Sequence, residues 1–132
     1  YFMINILAVD DEDDVAALYK VFFKKEKKSE LVSLHCVRSG QECIKYLNSP
    51  EGENIHIVLC DINMPEMDGF EVLSRIKQVS SEVKVFMISA YDNDEYLEQA
   101  VKLGSEKYFT KPVDFPLLKE TIQEFYPGYK TN

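Results

Sequence analysis

The chain has 132 residues, 15 basic against 23 acidic side chains, 45% apolar residues, three cysteines and no tryptophan. That length suits one domain with a real core, and the net charge of -8 argues against a nucleic-acid grip, which needs clustered Lys and Arg facing phosphates. Five Gly and five Pro exclude a collagenous or low-complexity chain, no apolar run approaches the ~20 residues of a membrane-spanning helix, and the N-terminus lacks the basic segment of a secretory signal.

In chain order, the first short apolar run covers residues 4–9 and ends in Val9-Asp10-Asp11. Residues 14–27 follow with Val15, Leu18, Tyr19, Phe22 and Phe23 on one helical stripe. Lys20, Lys24, Lys25, Lys27 and Lys28 gather toward its C-terminal end, where cations complement the macrodipole, and read as a solvated helix end. A second run spans 31–37. The helix at 39–47 opens with Ser39 and Glu42 at capping-box spacing. After an ordinary loop around Pro50, a third run covers 55–60 and ends in Asp61. The helix at 68–79 repeats the box with Asp68 and Glu71. A fourth run at 83–88 ends in Ser89, and a helix at 92–103, capped by Asp92 with Glu95, closes on Gly104. A fifth run at 107–110 ends in Thr110-Lys111-Pro112, and a last helix fills 114–125.

The third and fourth runs are near-continuous, as in strands buried on both faces of a parallel sheet. Strand-then-helix repeated five times predicts such a sheet with helices on both faces. One domain is expected over residues 1–126, with 127–132 a tail or the start of a linker. The chain begins Tyr1-Phe2-Met3, which reads as an excised piece of a longer polypeptide or as a native start at Met3. Cys36, Cys43 and Cys60 show no CxxC spacing and no matching His cluster. That disfavours zinc and a disulfide framework and points to a reducing, cytoplasmic compartment. Cys36 and Cys60 read as small core residues.

In an open parallel sheet ligands bind beyond the carboxyl ends of the strands. Those ends carry Asp10, Asp11, Asp61, Ser89 and Lys111. Crowded carboxylates repel one another unless a hard cation sits among them, and oxygen-only ligands suit Mg2+. A metal, an ammonium and a hydroxyl together form a phosphoryl-binding set. Taken singly, Asp10 and Asp11 could cap a helix and Asp61 could belong to a turn; their joint placement is what is specific. There is no GxxxxGK[ST] loop, no GxGxxG and no GxSxG elbow. His35 and His56 lie away from strand carboxyl ends and read as structural.

The set Val9-Asp10-Asp11, Asp61 with Met64-Pro65 and Asp68-Gly69, Ser89-Ala90 and Lys111-Pro112 resembles the receiver (CheY-like) domain of two-component response regulators, over about residues 4–125. The resemblance implies a flavodoxin-like, doubly wound, five-stranded parallel sheet of order 2-1-3-4-5 with five helices. It implies that Asp61 is the phosphoacceptor, attacking a phosphohistidine to form an acyl phosphate. Asp10 and Asp11 would hold Mg2+ with Asp61 and the backbone carbonyl of Asn63. Ser89 and Lys111 would bind phosphoryl oxygens, Tyr108 would be the aromatic switch, and the Lys111-Pro112 bond would be cis. The implied function is phosphorelay signal transduction, by a domain that is no enzyme beyond its own phosphotransfer and dephosphorylation. A sensor histidine kinase or histidine phosphotransfer protein would supply the phosphoryl group. The fourth helix, fifth strand and fifth helix would carry the signal to an effector domain or protein, without direct nucleic-acid binding or membrane contact by this domain.

Three departures matter. Ser89 replaces the commoner Thr but keeps the hydroxyl, and Ser105 stands where the family often has Ala. The last helix lacks the basic pattern of the large DNA-binding subclass, which disfavours that subclass's symmetric dimer and leaves another phosphorylation-dependent dimer open. Asn63 and Tyr91 border the path of the hydrolytic water and are expected to tune the lifetime of the phosphoryl group. Two other readings compete. An aspartyl-nucleophile phosphatase or phosphotransferase needs a second aspartate where Asn63 stands. A flavin-binding domain of similar topology would place a phosphate against the acidic first loop.

Overall fold

The computed structural model describes residues 2–128. Five strands, β1 (Ile4–Val9), β2 (Val32–Val37), β3 (Ile57–Asp61), β4 (Lys84–Ser89) and β5 (Lys107–Thr110), form one parallel sheet in the order β2-β1-β3-β4-β5. The helices are α1 (Asp13–Phe22), α2 (Lys24–Lys28), α3 (Gly40–Leu47), α4 (Gly69–Val79), α5 (Asp94–Lys102) and α6 (Phe115–Phe125), with a short 3-10 turn at Pro50–Gly52. Tyr1 and residues 129–132, the latter within the expected tail, lie outside the described residues.

Both faces of the sheet are covered, which is why the strands read as apolar runs without alternation. Leu7, Val9, Val58, Cys60, Val85 and Met87 face one core, closed by α3, α4 and α5 through Leu47, Val72, Leu73, Ile76 and Ala100. The intervening residues Ile6, Ala8, Ile57, Leu59, Phe86 and Ile88 face a second core, closed by Tyr19 and Phe23 with Leu118 and Ile122 of α6. Among the described residues, no helix is long and apolar enough to cross a membrane.

The five expected helices are present, and among the described residues a short sixth, the five-residue α2, arises because the stretch at 14–27 breaks at Phe23. That residue takes φ −91°, ψ 7° and separates α1 from α2. Adjacent residues on one helix point about 100° apart, yet Phe22 stacks on Phe115 at 4.2 Å while Phe23 is fully buried. The break re-aims the chain so that both rings pack. It also turns Glu26 inward, where the Lys119 ammonium of α6 pairs with it at 2.5 Å and lies 4.2 Å from the Phe22 ring centre. The five lysines of this region remain exposed.

Caps follow the sequence at two helices, where Ser39 and Asp68 accept from the backbone N–H of Glu42 and Glu71, and Asp114 caps α6 in the same way by accepting from Leu117 N–H. At α5 the cap is Asn93 rather than Asp92, its side chain accepting from the N–H groups of Glu95 and Tyr96. Two neighbouring residues were chemically able to cap, and the extended backbone falls at Asn93. Glu106 ties the start of β5 to α4 and β4, pairing with Lys77 at 2.9 Å and accepting from Val85 N–H at 2.7 Å. Cys43 and Cys60 are buried, and burial pushes the Cys43 thiol up to about 12. Cys36 is only half-buried, on the edge strand β2, rather than a full core residue.

Candidate functional site

Register brings the strand ends to one level. Val9 pairs with Cys60, Asp61 with Ile88, and Ser89 with Thr110. The residues at or just past those positions, Asp10, Asp61, Ser89 and Lys111, therefore emerge at one rim, where the chains of β1 and β3 diverge toward opposite faces. The peptide bond between Lys111 and Pro112 is cis.

Carboxylate oxygens of Asp10, Asp11, Glu12 and Asp61 all lie within 4.8 Å of one another. Asp10 Oδ1 accepts from Glu12 N–H at 2.9 Å, which folds the acidic loop back over the strand end. The Lys111 ammonium enters from β5 and sits 3.2 Å from Asp10 Oδ2, 3.4 Å from Glu12 Oε1 and 3.4 Å from Asp61 Oδ1. Asp61 Oδ1 also accepts from Asn63 N–H at 3.2 Å. Its other oxygen, Oδ2, is buried with no hydrogen-bond partner among the described residues.

One ammonium does not neutralise this cluster. Burial pushes the Asp61 carboxyl up to about 6, and the Asp10 charge adds to the rise; Lys111 and the Asn63 N–H act the other way. Burial likewise raises Asp10 against the pull of the Glu12 N–H and Lys111. For Lys111, burial disfavours the charge, but Asp61, Asp10 and Glu12 together outweigh it, and the net shift is upward. A hard divalent cation fits the residues present: the donors are all oxygen, the local charge is negative, and a buried carboxylate oxygen stands unsatisfied.

The other half of the rim is a chain of hydrogen bonds. Ser89 Oγ donates to Asn63 Oδ1 at 3.4 Å and accepts from Tyr91 N–H at 3.0 Å. Asn63 Oδ1 also accepts from Ala90 N–H at 3.3 Å, tying the loop after β3 to the loop after β4. Tyr108 donates its hydroxyl to the Tyr91 carbonyl at 2.7 Å. The Tyr91 backbone therefore holds both Ser89 and Tyr108. Beneath Asp61, Gly69 packs so closely that an added Cβ would lie 2.5 Å from the Asp61 carbonyl oxygen.

All the residues singled out from the sequence meet here: Asp10, Asp11, Asp61, Asn63, Ser89 and Lys111 line the rim, and Tyr108 joins through Tyr91. Two contributions were missed. Glu12 belongs to the acidic cluster, which its place in the run Asp10-Asp11-Glu12 could have suggested. The side chain of Asn63 bridges two loops, for which no sequence signal exists. Beside the site lies an apolar recess of about 360 Å³, lined in part by Val15, Leu18, Tyr19, Pro112 and Phe115. His35 stacks on Tyr46, and His56 sits at the N-terminal end of the central strand β3, at the end of the sheet away from the rim.

A family model described as the response regulator receiver domain matches residues 6–123. The sporulation initiation phosphotransferase F of Bacillus subtilis is 26% identical over 93% of this chain and 94% of its own length. The transcriptional regulatory protein ZraR of Salmonella typhimurium is 37% identical over 92% of this chain, which spans only 26% of that protein. Among solved structures, a chain of the CheX-CheY-BeF3-Mg complex from Borrelia burgdorferi is 29% identical, with a TM-score of 0.80 over 93% of this chain and 89% of that one. The receiver domain of Francisella response regulator 1452 is 24% identical, with a TM-score of 0.81 over 96% of this chain and 99% of that one.

Proposed function

The chain belongs to the response regulator receiver domain family and serves two-component signal transduction, and from that premise we propose that Asp61 takes the phosphoryl group. The buried, unsatisfied Asp61 Oδ2 beside Lys111 is the observation that carries this reading. Oδ2 attacks the phosphorus of a phosphohistidine; the P–O bond forms as the P–N bond breaks, and the imidazole leaves with a proton. Asp10, Asp11 and Asp61 would hold the Mg2+ on which receiver domains depend, with the Asn63 carbonyl as a further ligand. That ion, when bound, offsets the charge of the carboxylates and of the incoming phosphoryl group. Lys111 exchanges its carboxylate contacts for a phosphoryl oxygen, which a point charge on a flexible stem can follow.

Ser89 turns its hydroxyl to another phosphoryl oxygen and so releases the Tyr91 N–H it now accepts. Tyr91 carries the carbonyl that anchors Tyr108, so the same movement frees Tyr108 to turn inward. The surface of α5, β5 and α6 is thereby biased, by a coupling of typically ~1–3 kcal/mol. The recess at Val15, Leu18 and Phe115, with Leu18 exposed, is an apolar seat for the phosphohistidine donor, a sensor kinase or phosphotransfer protein. The domain ends near Tyr126, and its chemistry is confined to its own phosphorylation and dephosphorylation. Incubation with Mg2+ and acetyl phosphate should add one phosphoryl group by intact mass, in an acid-stable, base-labile linkage that Asp61→Asn abolishes. A linkage that survives in Asp61→Asn would overturn the assignment.

A further inference from the structure

At the pole opposite the acidic rim, the sheet begins with an arrangement that the phosphoryl chemistry does not use. His56 precedes β3, and its Nδ1 accepts the backbone N–H of Asn5 from β1 at 2.9 Å. Only an unprotonated Nδ1 can accept that bond, so the imidazole is neutral with its proton on Nε2. The ring is flanked by two aromatics. Phe2 meets it in a T-shaped contact at 5.1 Å, Tyr126 from the end of α6 in another at 5.6 Å, and these two stack on each other at 6.0 Å. Backbone bonds add to the junction: His56 N–H donates to Asn5 C=O at 2.9 Å, Lys84 N–H donates to His56 C=O at 2.9 Å, and the Tyr126 hydroxyl reaches the same carbonyl at 3.4 Å. One residue thus joins β1, β4 and the last turn of α6.

We propose that His56 is an acid-operated latch: its neutral ring fastens the end of α6 to the N-terminal edge of the sheet, and protonation releases it. A proton on Nδ1 sets two N–H groups against each other and leaves the Asn5 amide without its acceptor. Asn5 from β1 and Tyr126 from the end of α6 contact the ring; the charged residues at the junction are Lys84 of β4, whose amide holds the His56 carbonyl, and Glu53 and Glu82, which line with His56 an adjoining recess of about 470 Å³. Glu106 acts on Tyr126 from the start of β5. Burial holds His56 below the ordinary imidazole value, as a ring seated for its neutral form requires. Opening the latch exposes Leu47, Ile55 and Val83, which are buried beside the same recess.

The test is site-resolved NMR of the whole chain across mildly acidic pH, run in Asp61→Asn to remove the overlapping carboxyl titration. The His56 ring proton should titrate below its midpoint in the urea-unfolded chain, with the Asn5 and Tyr126 amide signals following the same curve and losing exchange protection on the acid side. His56→Asn, whose Oδ1 stands roughly where Nδ1 does but takes no proton, should keep Asn5 protected and abolish the response. An Asn5 amide indifferent to the His56 titration overturns the latch, and so does a response that persists in His56→Asn. If that variant fails to fold, the Asn5 curve alone decides.

Discussion

Replacing Asp61 by Asn should stabilise the metal-free protein at neutral pH and leave it unchanged in acid. Folding raises the Asp61 carboxyl from 3.8 to about 6, with burial the largest cause. The folded state therefore binds the proton more tightly than the unfolded chain. The resulting stabilisation is fully present below about 4 and is lost as pH rises through about 6. At about 1.4 kcal/mol per tenfold change in proton affinity, the ionised form costs about 3 kcal/mol. The side chain is 1% exposed, so solvent does not dilute that figure, and the opposing pull of Lys111 is already within it. Asn keeps the shape and an acceptor for the Asn63 N–H without the charge. Urea unfolding in EDTA at about pH 7.5 should show the variant more stable by up to ~3 kcal/mol, and at about pH 4 the two curves should coincide. Excess magnesium chloride should then stabilise the wild type far more than the variant, narrowing or reversing the gap. A variant no more stable than wild type in EDTA at neutral pH, or a gap unchanged in acid, refutes the reasoning.

Three further outcomes follow from the geometry. Gly69→Ala drives a Cβ to 2.5 Å from Asp61 O and Ile62 Cα, both backbone atoms that cannot yield; expect a loss of ~1–3 kcal/mol and slower phosphorylation by acetyl phosphate, and wild-type behaviour in both assays would show that the fit is looser. Glu106→Ala strands the Lys77 ammonium and the Val85 N–H at a junction where both side chains of the ion pair are about four-fifths covered; chemical denaturation should register a loss of ~2 kcal/mol, and a change under ~0.5 kcal/mol would assign the network no role in stability. Tyr91→Ala removes an exposed ring at the mouth of the site and should speed loss of the phosphoryl group, measured by following the adduct after the donor is removed; equal rates would leave Tyr91 with its backbone role alone.

Much of the fold was legible because a strand buried on both faces needs a continuous apolar run, and such runs are visible in the chain. Ser39 and Asp68 were readable as caps because one short polar side chain stood at each helix start, with Glu three residues on. At α5 two stood side by side, and backbone geometry chose Asn93 over Asp92. The break at Phe23 was hidden because the apolar stripe runs through it unchanged. Glu26 was hidden among lysines of a solvated helix end; its burial depends on Lys119, which only tertiary packing brings to it.

The order of elements and the acids at the ends of apolar runs were already determined by the amino-acid chain, since parallel strands between helices must deliver their last residues to one rim. What tertiary structure alone decided is how those residues meet. Register put Asp10, Asp61 and Lys111 within ion-pair reach, curled Glu12 into the cluster and left Asp61 Oδ2 buried without a partner. It also set Tyr108 on the carbonyl of Tyr91 and His56 on the amide of Asn5. Periodicity reports which residues are covered; distances of a few ångströms between remote segments depend on packing, and those distances set the charge balance that the chemistry requires.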